Sequence, residues 1–385
     1  MSYKKWAIAV LASSVALTAC GAKQTSQPAG QANQQAEATK EQNAAPADQV
    51  KLFKEMVEEL EKAEKGEKVD FDKVSKLYAD NLKKLVQARD SEFNEQLDQQ
   101  ISNAIKAGKD GSLKPDVVQE LVHKLGLKAF FLSLRHEFKE IEEHFADKKE
   151  AKEEFEEAET FYGALKTTVE KRDQAYQTQL ASTIDGAFKD MEKAVDSGQK
   201  LDFSLAKQVI DKSLMKAFYL AAGGAQGYAY KIEKAVKEGK DAKAAQAEAW
   251  AFYQSLYGYL VKSAKEDAEF IQKKFDLQTD AKEIKGDEIN KSFVRAFALV
   301  AKSEYQESFE NFGKDKGPVT ALEGALFISV IESDAKKILG EAATKTLLQQ
   351  ADELVKAAKA NDKAKAEALY KEIKPSLDKL ANAGK

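Results

Sequence analysis

"LKAFFLSL" at Leu127–Leu134, "MKAFYLAA" at Met215–Ala222 and "VRAFALVA" at Val294–Ala301 are three versions of one pattern, basic-Ala-Phe-x-Leu. Each is followed by helix-like sequence, a charged connector and a second signature: "ETFYGAL" at Glu159–Leu165, "WAFYQSL" at Trp250–Leu256 and "ALFISVI" at Ala325–Ile331. The step from first Phe to second aromatic is similar each time: Phe130 to Tyr162, Phe218 to Tyr253, Phe297 to Phe327. A weaker relative, "SKLYADNLKKLVQARD" at Ser75–Asp90, aligns with "ETFYGALKTTVEKRD" at Glu159–Asp173, and a last half-unit ends in "EALYKEIKPSL" at Glu367–Leu377. Paired signatures at a similar offset mark a duplicated structural unit, not merely shared composition.

The connectors "FADKKEAKEE", "VKEGKDAKAA" and "FGKDKGPV" place Gly, Asp and Lys where helices stop and start. Gly317 before Pro318, and Gly111-Ser112 before Pro115, repeat that punctuation. Charged residues make up 32% of the chain, Ala, Glu, Lys and Leu dominate, and no run of alternating β-branched residues stands out, which together favour long amphipathic helices over strands. The expected class is all-α, with about four antiparallel helical hairpins stacked in a repeat-like array over residues 50–385. An apolar stripe left by one hairpin has to be covered by the next, so stacking follows from the pattern.

The formal net charge is only −4, with both signs interleaved, so no basic stripe is available for nucleic acid. At the start, Lys4 and Lys5 precede the apolar run "WAIAVLASSVALTA", Trp6–Ala19, which is too short for a permanent membrane span. Cys20 follows it and is the single cysteine. Leu17-Thr18-Ala19-Cys20 resembles the lipobox of bacterial lipoproteins. That resemblance implies cleavage of residues 1–19, a diacylglycerol on the Cys20 sulfur, and a cell-envelope protein anchored on the extracytoplasmic side of a membrane. Residues 20–49 hold no aromatic residue and no Val, Ile or Leu, so they cannot bury enough apolar surface to order themselves. They are expected to form a disordered tether, roughly 30 Å from end to end as a flexible coil.

Two constellations are candidates for binding. His136, Glu140 and His144 recur at i, i+4 and i+8 in "RHEFKEIEEHF", a spacing that projects a metal-ligating set from one side of a helix. The competing reading is a solvated charged face, since Leu134, Phe138, Ile141 and Phe145 form the apolar stripe. Aligning the signatures also puts Gly224 and Ser303 opposite His136. The second candidate is the aromatic hairpin: Phe218, Tyr219, Tyr228 and Tyr230 read as one helix, facing Trp250, Phe252, Tyr253, Tyr257 and Tyr259. Three glycines in "AAGGAQGYAY" allow close approach there, and Tyr and Trp suit a small molecule or glycan; closed hairpin core is the alternative.

No nucleophile–base order, no C-x-x-C-H and no H-E-x-x-H occurs. The G-x-H-x-x-E motif of imelysin-type iron-associated proteins is absent at His123, His136 and His144. The chain is therefore expected to be non-enzymatic and without a cofactor, binding or scaffolding an envelope component through its helical surface. Capture of a metal, haem or glycan at the Trp250 hairpin or the His136/His144 face is the alternative.

Overall fold

A computed structural model describes residues 44–385; the leader, Cys20 and most of the tether lie outside them. In chain order the helices are α1 (Pro46–Leu60), α2 (Phe71–Leu77), α3 (Lys83–Phe93), α4 (Leu97–Lys109), α5 (Pro115–Glu143), α6 (Lys148–Tyr176), α7 (Leu180–Ser197) and α8 (Lys200–Ala222). They continue with α9 (Tyr228–Lys237), α10 (Lys243–Ser263), α11 (Lys265–Phe275), α12 (Gly286–Glu310), α13 (Lys316–Val330), α14 (Glu332–Leu339), α15 (Glu341–Lys359) and α16 (Lys363–Ala381). A π-helical turn, Tyr78–Leu82, joins α2 to α3. No strand occurs among the described residues, and none of their helices is long and apolar enough to cross a membrane. The all-α class is as the sequence predicts.

Local chemistry sets the boundaries. Pro46 and Pro115 open α1 and α5, where a missing N–H costs nothing. The Asp147 carboxylate accepts from the Lys149 and Glu150 amides at 3.1 and 3.3 Å, so the α5–α6 connector shrinks to 144–147. Helix formation begins at Pro46, inside the segment expected to be tether, because Gln49 and Val50 already lie on the buried face of α1. The aromatic helix expected across 218–230 breaks instead into α8 and α9. A Cβ on Gly227 would sit 2.8 and 2.9 Å from the Gly224 and Ala221 carbonyl oxygens, so the chain turns sharply through that glycine.

The stacking follows one rule. The first helices α1, α5, α8 and α12 each pack on the second helix of their own unit, namely α2, α6, α10 and α13. Each also packs on the second helix of the following unit: α1 on α6, α5 on α10, α8 on α13, and α12 on α16. A third helix, α4, α7, α11 or α14, then folds back onto the first helix of the next unit. The repeat is thus three helices rather than a bare hairpin, and the units interlock.

The signature aromatics hold this together. Phe130 meets Phe161 at 5.8 Å between ring centroids, Phe218 meets Phe252 at 6.2 Å, and Phe297 meets Phe327 at 6.0 Å. In the first two units the contact is made one residue before the tyrosine that the sequence offset picked out. All six rings are buried in a single continuous core.

Two corners between second and third helices are near copies: "RDSEFNEQL", Arg89–Leu97, and "RDQAYQTQL", Arg172–Leu180. The Asp90 carboxylate accepts from the Leu97 and Asp98 amides at 2.7 and 2.9 Å, and Asp173 accepts from Leu180 and Ala181 at the same distances. Asn94 and Gln177, at matching positions, take the left-handed conformation with φ of 55° in each case. In this alignment Glu95 corresponds to Thr178.

Candidate functional site

The aromatic hairpin divides into core and rim. Tyr219 and Tyr253 are fully buried; the Tyr219 hydroxyl bonds Asp334 at 2.5 Å and accepts from Asn290 at 3.0 Å, while Tyr253 donates to the Ala268 carbonyl at 2.7 Å. Tyr228, Trp250 and Tyr257 are half-buried against that core, and Tyr230 is half-buried beside Gly286. Tyr230 donates to Asp287 at 2.8 Å, and Tyr228 stacks on Phe252 at 6.2 Å. Neither of the two cavities described below is lined by any of these six residues.

The histidine face separates into two places. His136 Nδ1 lies 2.9 Å from Glu92 of α3 and 3.9 Å from Glu140. Eight residues on, at about 1.5 Å of rise each, His144 sits about 12 Å further along the axis, where α5 ends. Its Nδ1 faces Glu150 at 3.3 Å. His144, Glu150 and Glu154 bring one ligand atom each within 4.8 Å of one another, and Glu137, Glu154 and Glu157 do the same. Glu154 thus belongs to both groups at the tip of the α5–α6 hairpin. Burial pushes the Glu137 carboxyl well above the usual carboxylate range, and its hydrogen bond with Glu154 adds to the rise.

A buried ionic network crosses three units. Arg135 of α5 forks onto Asp211 of α8 at 2.6 and 3.0 Å and stacks on Phe131 at 4.2 Å. Lys212 bonds Asp211 at 2.8 Å and Glu323 of α13 at 3.2 Å. Tyr259 of α10 lies 2.8 Å from Glu323 and 3.0 Å from Glu304. Though Asp211 is buried, the Arg135 and Lys212 charges beside it hold its carboxyl well below the usual range. The network locks α5, α8, α10, α12 and α13 to one another.

On either side of Asp211 along α8 the packing opens. Two cavities of about 540 and 490 Å³ follow one another between α7 and α13, with Thr183 on the wall of both. Their floor is one face of α8: Leu205 and Val209 in the first, Lys212, Lys216 and Leu220 in the second. Together they make a groove along the helix, a feature that no single stretch of sequence announces. A basic residue inside an apolar signature, repeated at Lys128, Lys216 and Arg295, is the one signal that points to it.

No family model matches the chain, and neither a curated protein nor a solved structure is significantly similar to it.

Proposed function

We propose that this chain is a lipid-anchored protein of the bacterial cell envelope, held through Cys20 on the extracytoplasmic side, that binds another envelope component without catalysis. The N-terminal lipobox-like sequence supports the anchor. The observation that carries the binding reading is the α8 groove, where the interlocked array leaves an inter-unit space uncovered. Capture after crosslinking in intact envelopes tests it, comparing wild type with Gly186→Trp. Gly186 lines the first cavity, and a Cβ there meets open space, so the indole fills the groove without disturbing the core. The expected result is one component recovered with wild type and lost with the variant; equal recovery, or none, rejects the reading. Cys20→Ala should release the protein from the membrane fraction.

A second reading, metal capture, is favoured by the convergence of His144, Glu150 and Glu154 on one point. An imidazole with carboxylates suits zinc, manganese or iron rather than magnesium, which prefers oxygen ligands and water. Equilibrium dialysis with Zn²⁺ and Mn²⁺ should show one ion per chain, lost in His144→Ala. Uptake that is unaffected by that change counts against it.

A further inference from the structure

We propose that the second cavity of the α8 groove is an oxyanion site, taking a small polyol that carries a carboxylate or phosphate group. The inference rests on the reading that this groove is a binding surface, and it names the chemistry at one end of it.

The repeat supplies the argument. Lys128, Lys216 and Arg295 hold the same place in three first helices, each between the preceding corner and the end of the following second helix. Lys128 pairs with Glu95 of its corner at 2.7 Å. Arg295 is satisfied from both sides: Asp267 at 2.5 and 2.9 Å, and the Ala383 carbonyl at 2.7 Å. Lys216 is not. Thr178 stands in its corner where Glu95 stands in the other, and a cavity of about 490 Å³ fills the place of the missing carboxylate.

What remains around Lys216 is weak compensation. Its side chain is only 13% exposed, its ammonium donates to the Ser329 hydroxyl at 3.2 Å, and Glu332 lies 3.7 Å away. That carboxylate is drawn off by Lys336 at 3.0 Å on the rim. Burial lowers the Lys216 pKa, so an anion entering the cavity would stabilise the charged form. Lys212 also lines the cavity, its charge already met by Asp211 and Glu323.

The rest of the wall selects the body of the ligand. Thr178, Thr183, Ser213, Ser329 and Ser333 present hydroxyls, and Leu220 and Leu326 add apolar surface. Hydroxyl groups beside a short apolar face suit a polyol or sugar ring, and the volume lies in the range of small-ligand pockets. A divalent cation is disfavoured by three lysines at the site. The ligand's oxyanion would do for Lys216 what the Glu95 carboxylate does for Lys128.

Calorimetric titration of the full, detergent-solubilised chain with glycerol 3-phosphate, glucuronate, inorganic phosphate and glycerol tests this. Saturable binding of glycerol 3-phosphate or glucuronate is expected, and which of the two binds tells phosphate from carboxylate. Lys216→Met should weaken it at least tenfold. Thr178→Glu restores the corner carboxylate, so it should abolish binding while raising the melting temperature. This second variant keeps the test valid if Lys216→Met folds poorly. Gly186→Trp, in the neighbouring cavity, should leave the titration unchanged, so loss of the envelope partner and loss of the oxyanion site are read separately. No saturable binding by either polyol, or full affinity in Thr178→Glu, overturns the proposal. Inorganic phosphate binding as tightly as glycerol 3-phosphate overturns the polyol part.

Discussion

Arg295 and Lys216 occupy one position of one repeat and have opposite fates. Around Arg295 the space is closed, with a carboxylate from α11 on one side and a backbone carbonyl beyond α16 on the other. Around Lys216 the same space is open, since its corner contributes Thr178 and the neighbouring end of α13 contributes a serine. The scaffold sets where a buried cation will stand. The corner residue then decides whether that cation serves stability or remains for a ligand. A duplicated unit can in this way generate a site by losing a counter-ion rather than by acquiring a ligand-binding residue.

The comparison assumes that the units are structurally equivalent, and the largest expected effect tests that assumption. Phe130→Ala, Phe218→Ala and Phe297→Ala each remove a buried ring that packs on a second-helix Phe, and each should cost about 3–5 kcal/mol in urea unfolding. Losses that differ by more than twofold would mean that the three ring contacts are not interchangeable parts.

The next effect separates closed from open positions. Arg295→Met leaves Asp267 buried without its partner and should cost about 3 kcal/mol, with Lys128→Met close behind. Lys216→Met has no tightly paired carboxylate to orphan, so its unfolding free energy should stay within about 1 kcal/mol of wild type. Equal losses at all three positions would erase the distinction.

Below these come the corners. Asp90→Ala and Asp173→Ala each unpair two amides at a helix start and should cost about 1–2 kcal/mol, by nearly equal amounts. Only Asp173→Ala should also weaken ligand binding, since the Asp173 carboxylate accepts from Thr178 at 2.6 Å and fixes that wall of the cavity.

Much of this architecture was legible in the sequence. Phe130, Phe218 and Phe297 announced the first helices, and the second signatures lay within one residue of the contacts they make. The third helices carry no common signature: α7 buries a short apolar stripe, including Ile184 and Phe188, that does not recur in α14. The interlocking was not legible either, since helical periodicity gives the buried face of a helix and not the partner that covers it. His136 and His144 share a face in projection and are separated by two turns along the axis, which a wheel does not show. Glu150, Glu154 and Glu157 were hidden among 64 acidic residues, and only the hairpin geometry singles them out.

The smallest expected effect concerns the buried network one turn before Lys216, where the same α8 helix is fully compensated. The Tyr259 hydroxyl touches both Glu304 and Glu323, yet it has one proton to donate. The second contact therefore needs a proton on a carboxyl. Burial, followed by repulsion from Glu323, pushes Glu304 up to about 7, against the opposing pull of the Tyr259 hydrogen bond and then of Lys212, with Glu307 adding to the rise. In the unfolded chain the same group titrates near 4.5. The folded protein thus keeps a proton that the unfolded chain has already released across that interval. Its stabilising contribution is complete below pH 4.5, falls as pH rises and is spent above pH 7. Glu304→Gln retains a donor to Tyr259 without the titration, so its urea midpoint should change less than wild type's between pH 5 and pH 7.5. An identical pH slope in the two proteins would place an ionised Glu304 in the fold.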